Sequence, residues 1–62
     1  MGGGNSLWLV SFTNDNGRRE YRTTPYLGHR GAAFVWLIQL RPHLLSRPED
    51  IEIRPWRRGD PR

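Results

Sequence analysis

The stretch that decides the fold of this chain is Gly31–Leu40, which reads GAAFVWLIQL. Gln39 is the only polar side chain after Gly31, so the segment is apolar nearly all the way round. In a chain of 62 residues, a small sheet can cover only one side of such a helix. The other side needs a second cover, which predicts self-association or a protein partner.

We expect this stretch to be a helix that begins near His29–Ala32 and ends near Arg41. Its alanines and Leu37 are strong helix formers, and Pro42 cannot continue a helix because it lacks an N–H. Val35 and its aromatic and β-branched neighbours also suit a strand, so a buried strand is the alternative.

A helix here carries two apolar stripes, because successive side chains are turned by about 100°. The stripe expected to lie on a sheet consists of Ala33, Trp36, Leu37 and Leu40. The stripe expected to form a protein interface consists of Phe34, Val35 and Ile38, with Arg41 at its rim. A symmetric contact between two helices would bury this second stripe. Alternatively, Leu44, Leu45 and the final strand fold over it.

Two strands joined by a tight turn are predicted before the helix. Ser6–Thr13 alternates in the manner of a strand, and Arg18–Thr24 returns after the turn Asn14–Gly17, whose Asn-Gly pair tolerates positive φ. Leu7 and Leu9 indicate that the outer face of the first strand is also partly covered. The large side chains on its inner face are Trp8, Val10 and Phe12.

A third strand is predicted after the connector Pro42–Asp50. It begins at Ile51–Ile53 and continues through Arg54 to Trp56, and Pro55 makes it an edge strand or the end of one. The order β-β-α-β predicts an α+β fold with one helix packed on a three-stranded antiparallel or mixed sheet. The expected core consists of Trp8, Val10, Phe12, Trp36 and Leu37.

The length allows one small domain, predicted at residues 6–56, between a flexible leader at 1–5 and a basic tail at 57–62. Domains of this size bury only about 60% of their unfolded surface and usually need further stabilisation. The absence of cysteine excludes disulfides and thiolate zinc sites, and two histidines cannot close a structural metal site. We therefore expect no metal or cofactor, and oligomerisation or a partner instead.

The N-terminus lacks the features of a signal peptide, and no segment approaches the ~18 apolar residues of a membrane span. We therefore expect a cytoplasmic protein without membrane contact. The net charge is +4, and all ten basic residues are arginine. The last nine residues carry +3 and the rest only +1, so the basicity belongs to the tail.

An arginine and aromatic patch is the second candidate site. Guanidinium groups bind phosphates, and aromatic faces stack on bases. This predicts, as the alternative function, a small DNA-binding module that uses the sheet face and the basic tail. The competing interpretation is that Tyr21 and Trp56 rim the core and the arginines are solvated. The residues of the patch are Arg19, Tyr21, Arg22, Arg54, Trp56, Arg57 and Arg58.

A family resemblance rests on the hairpin and on the helix that follows it. The residues concerned are Trp8, Val10 and Phe12, the run Asn14 to Arg19, Tyr21, Arg22 and Thr24, then Ala33 and Trp36. This pattern is similar to the arm-type DNA-binding domains of phage tyrosine integrases. The resemblance implies a sheet in the major groove, with Arg19, Tyr21 and Arg22 facing DNA. The chain departs from that family, because it has two strands before the helix rather than three and a more apolar helix. It also resembles small uncharacterised proteins of actinobacteria and their phages.

Acids and histidines form the third candidate set, since such groups can perform acid–base chemistry or hold a metal. They lie on the connector and an edge strand without a pocket-sized domain behind them, so a solvated loop that balances arginines is favoured. No serine lies in a nucleophile motif, and we expect no enzyme. The set comprises His29, His43, Glu49, Asp50 and Glu52.

The sequence therefore predicts a small non-catalytic binding module. Its first expected function is protein–protein interaction as a homo-oligomer, in the manner of a phage-type accessory protein. DNA binding is the alternative.

Overall fold

The computed structural model describes residues 5–62, which form one three-stranded sheet with one α-helix packed on it. Two 3₁₀ helices, Pro42–Ser46 and Pro48–Asp50, connect the α-helix to the last strand. The predicted α+β fold of order β-β-α-β is confirmed, and the alternative of a buried strand at 31–40 is wrong. Residues 1–4 of the predicted leader lie outside the described residues. The main elements are β1 (Trp8–Thr13), β2 (Arg19–Thr23), α1 (Arg30–Leu40) and β3 (Glu52–Pro55).

The strand order is β2-β1-β3, and both pairings are antiparallel. The strand β1 is therefore central, with Val10 opposite Arg22 on one side and Ile53 on the other. Pro55 pairs with Trp8 at the end of the edge strand β3, where its missing N–H costs no ladder bond. This confirms the edge position predicted from Pro55.

The hairpin between β1 and β2 closes through its asparagine and glycine. The side-chain oxygen of Asn14 accepts hydrogen bonds from the N–H groups of Asn16 (2.9 Å) and Arg18 (3.0 Å). Positive φ falls on Gly17 (78°) and not on Asn16. Glycine adopts this conformation without the steric cost that a Cβ atom brings.

The helix α1 begins and ends where local chemistry predicts. His29 has extended backbone, and its Nδ1 accepts a hydrogen bond from the N–H of Ala32 at 3.3 Å. At the other end, the N–H of Arg41 donates to the carbonyl of Leu37 at 2.8 Å. Pro42 then starts the first 3₁₀ helix, since it cannot donate to a continuing α-helix.

The core lies between α1 and the inner face of the sheet. Trp8 and Trp36 pack against it while partly exposed, as do Ile51 and Ile53. Leu44 comes from the connector and is 1% exposed, so the connector does cover part of α1. The fully buried hydrophobic cluster consists of Val10, Phe12, Ala33, Leu37 and Leu44.

We predict that Leu44→Ala lowers the free energy of unfolding by about 2–4 kcal/mol, because it leaves a cavity in the core. A core of this size rarely supplies more than about 3–5 kcal/mol, so the variant should be largely unfolded at 37 °C, a common assay temperature. Urea denaturation followed by tryptophan fluorescence measures the change. Leu45→Ala is the control, since Leu45 is 58% exposed. Equal stability of the two variants would contradict the role given to Leu44.

Candidate interaction surfaces

The helix stripe predicted as an interface is only partly at the surface. Val35 is 53% exposed, whereas Phe34 is half-buried and Ile38 packs against the core. The first 3₁₀ helix folds back beside α1 and adds Leu44 to the core that Ile38 contacts. The structure thus leaves Val35 as the most accessible of the three apolar side chains.

Arg41, predicted at the rim of that interface, is engaged within its own chain. Its guanidinium donates to a carboxylate oxygen of Glu20 at 3.2 Å and lies 6.0 Å from the centre of the Phe12 ring. The hydrogen bond from Arg22 and the one from Arg41 hold the pKa of Glu20 below its usual range. The carboxylate of Glu20 therefore links β2 to the end of α1.

A shallow groove on α1 has an apolar floor and no arginine, aspartate or glutamate in its lining. Leu27 reaches it because the loop before α1 forms an isolated bridge with Ser6, with hydrogen bonds of 2.8 Å in both directions. The sequence predicted Val35 as an interface residue but assigned Trp36 to the core. No local pattern in the sequence indicates that Leu27 belongs to this groove. The lining residues are Leu27, His29, Gly31, Ala32, Val35, Trp36 and Gln39.

Leu40, which the sequence places on the sheet, does lie on that side of α1 but stays largely exposed. Leu40 is 57% exposed and lies beside Arg22, over the β2 side of the sheet. Leu40 stays exposed because it lies on the last turn of α1, after which the chain turns away at Pro42. Leu40 adds an exposed apolar side chain next to an edge strand.

The arginine and aromatic patch is divided between the two faces of the sheet. Arg19 and Tyr21 lie on the outer face, away from α1, together with Arg54. Arg22 pairs with Val10 and so lies on the inner face, beside Leu40. The arrangement implied by the integrase resemblance, in which Arg19, Tyr21 and Arg22 face DNA together, is therefore not present.

Both outer-face arginines of the sheet are paired with acids. Arg19 donates to Asp50 at 2.9 Å and also to the hydroxyl and carbonyl of Ser11. Arg54 makes two 2.9 Å hydrogen bonds to the carboxylate of Asp60, which raise the pKa of Arg54 and lower that of Asp60. These guanidinium groups stabilise the fold and are not free for phosphate.

The C-terminal segment, residues 57–62, lies across the outer face. The carbonyl of Pro61 accepts hydrogen bonds from the hydroxyl of Thr23 and from the indole N–H of Trp56, the latter at 2.8 Å. Leu9 is buried and lies between Thr23 and Arg54 in the sheet, and the side chains of both these neighbours bind this segment. The predicted cover on the outer face is confirmed at Leu9. The division of the chain into domain and tail at residue 57 stays a prediction.

Three arginines of that segment make no ion pair with an acid among residues 5–62. Arg57 and Arg58 are exposed on a turn whose Gly59 has a φ of 97°. Arg62 lies over the ring of Trp56, 5.4 Å from its centre. This C-terminal arginine group, Arg57, Arg58 and Arg62, brings positive charge close to an aromatic ring.

Asp50 has a structural role that the sequence did not indicate. Its carboxylate accepts from the N–H of Thr13 at 2.6 Å, from the Thr13 hydroxyl at 3.0 Å and from Arg19. The backbone hydrogen bond from Thr13 is the main reason that the pKa of Asp50 is lowered. Asp50 therefore ties the connector to the end of β1. It pairs with an arginine, as the favoured interpretation of the acids expected, but it is only partly exposed and also binds Thr13.

The other acids and histidines are dispersed. His29 caps α1, and His43 lies 3.9 Å from Asp15 at the hairpin turn. Among residues 5–62, no three side chains of His, Cys, Asp or Glu come together in a way that could hold a metal ion.

Comparison with protein-family models, curated proteins and solved structures finds no match to this chain. Within residues 5–62, no helix has both the length and the apolar character needed to cross a membrane.

We predict that Asp50→Asn lowers the thermal midpoint by about 5 °C at neutral pH, because the charge that holds Thr13 and Arg19 is lost. The lowered pKa of Asp50 means that its stabilisation is complete above the pKa of the unfolded state. It is lost as the pH falls below about 4, through the folded-state pKa. The variant should therefore also show a weaker loss of stability between neutral and acid pH. Glu49→Gln, at the exposed neighbouring position, is the control, and identical acid profiles of both variants would contradict the assignment.

Proposed function

We propose that this domain is a small non-catalytic module that acts by protein–protein interaction and assembles with further copies of itself. The observation that supports this most directly is the exposed apolar surface on and around α1, in a domain with few fully buried side chains. Exposed apolar surface that forms a groove is typical of interaction sites. A cytoplasmic location and a role as a phage-type accessory protein belong to the same proposal.

The α1 groove has the composition of an interface core. It combines the aromatic ring of Trp36 with Leu27 and Val35, while arginine, aspartate and glutamate are absent from its lining. Gly31 and Ala32 at one end are small enough to let a second helix or strand approach closely. These features favour a protein ligand over a solvated surface.

Non-catalytic action is proposed because the polar groups serve other purposes. Asp50, Glu20 and Asp60 each hold structural hydrogen bonds. Among residues 5–62, every buried side-chain nitrogen or oxygen has a hydrogen-bond partner, so none is left pointing at a ligand.

We predict that Val35→Glu weakens association through α1 while leaving the fold intact, because Val35 is exposed and lies outside the buried core. The mass measured by light scattering, from micromolar to millimolar concentration, should fall relative to wild type. Leu45→Glu is the matched control, since Leu45 is similarly exposed and lies outside the groove. A wild-type chain that stays monomeric throughout would refute the homo-oligomer.

DNA binding is the second candidate, and the C-terminal arginine group favours it. Arg57 and Arg58 are exposed and Arg62 lies over Trp56, so this segment combines positive charge with an aromatic ring, as phosphate binding and stacking require. The site would be this segment and not the sheet face, where Arg19 and Arg54 are paired.

We predict for this candidate that Arg57→Gln with Arg58→Gln makes the dependence of log K on log salt shallower. The slope should change by about 0.9 for each phosphate that the variant no longer neutralises. Fluorescence anisotropy with a labelled DNA duplex measures the slope. Arg47→Gln, a change at an exposed arginine of the connector, is the control. Absence of binding at low salt would exclude the candidate.

A further inference from the structure

The strand β2 has a free edge. The N–H of Thr24 donates to Trp8 at 2.9 Å, and the N–H of Asn14 donates to Arg18 at 2.8 Å. Because backbone groups alternate in direction along an antiparallel strand, every second residue from Arg18 to Thr24 turns its N–H and C=O toward β1. The backbone groups of Arg19, Tyr21 and Thr23 therefore point outward, where no strand among the described residues pairs with them.

The sequence of this edge, Arg-Glu-Tyr-Arg-Thr, is complementary to itself when read in the opposite direction. With a two-fold axis at Tyr21, two copies of β2 pair antiparallel over their whole length. Glu20 of each copy then lies opposite Arg22 of the other, in the non-hydrogen-bonded positions where side chains come closest. The outward backbone groups meet at the hydrogen-bonded positions of the same ladder.

Charge also selects the register. Moving the axis by one residue toward the C-terminus places Arg22 against Arg22 of the other copy. Moving it by one residue the other way places Glu20 against Glu20. Like charges directly opposite are unfavourable, so the register centred on Tyr21 is the one that both charges favour.

Exposed side chains flank this edge on both faces. Tyr21 is 54% exposed on the outer face, where the two-fold axis would bring it against its own copy. Leu40 is 57% exposed on the inner face beside Arg22, where the second copy would cover it. Pro61 and Arg62 line the groove next to Tyr21 and form the rim of the contact.

We propose that a second copy of this chain binds at the β2 edge, so that two three-stranded sheets join into one six-stranded sheet. The proposal rests on the proposed self-association, and it adds to the α1 groove a second, separate contact between copies, at the edge of the sheet. The contact is isologous, as a closed two-fold dimer requires. Backbone hydrogen bonds supply the attraction. The Glu20–Arg22 pairs between copies fix the register, in addition to the 2.9 Å pair that these two residues make within each chain.

The test uses two charge reversals, Glu20→Arg and Arg22→Glu. Each alone sets like charges opposite one another twice in the dimer and should raise the dissociation constant about tenfold or more. An equimolar mixture of the two variants sets opposite charges together again and should form a heterodimer. Native mass spectrometry resolves it, because the two chains differ in mass. Arg18→Glu, which makes the same charge change outside the paired residues, is the control and should dimerise like wild type.

Recovery on mixing cannot come from a contact within one chain, since each variant carries only one of the two changes. The variant with both changes restores complementarity in a single chain and should dimerise even where one single variant folds poorly. If wild type associates and both single variants keep its mass, or if the mixture stays monomeric, the edge contact is overturned while the proposed function stands. If the wild type is monomeric at millimolar concentration, both the edge contact and the proposed self-association are overturned. The arginines of β2 would then serve to prevent pairing at this edge.

Discussion

The burial of β1 from both faces is the constraint on which the rest of the structure depends. Val10 and Phe12 face α1, while Leu9 and Ser11 face the other way, and all four are buried. A central strand with apolar side chains on both faces needs two covers. In a chain this short, α1 and the connector supply one cover, and Arg19 with the C-terminal segment supplies the other. Most of the short chain is therefore used to cover the two faces of β1.

Local patterns predicted the elements well, because each element is determined by neighbouring residues. The alternation of β1, the turn at Gly17 and the stop at Pro42 are all local signals, and the fold class follows from them. Which segment covers which face of the sheet or helix depends on contacts between residues that are distant in the sequence. Helical periodicity assigned Leu40 to the sheet side of α1, and it lies there, but on the last turn it stays largely exposed. The burial of Leu44 was foreseen only as an alternative, because a connector with two prolines shows no period.

The functional surfaces were predictable to a smaller extent. The sequence gives the number of charged residues but does not show which of them form ion pairs in the fold. Arg19 forms an ion pair with Asp50, which is distant in the sequence, and Arg54 forms one with Asp60 after a tight turn. These pairings separate the arginines that bind an acid within the chain from those that make no such ion pair among residues 5–62. Val35 could be identified as exposed from the width of the apolar stripe alone. Leu27 could not, because its position depends on a bridge between two loops.

The central position of β1 also determines when the sheet can be completed during synthesis of the chain. Trp8 and Ser11 leave the ribosome well before their partners Pro55 and Glu52. A nascent chain that has produced only the hairpin and α1 exposes one edge of β1, and it still lacks the side chains of Ile51 and Ile53. The domain is therefore completed as a whole once β3 emerges, and an arrested fragment would present two open edges to its surroundings.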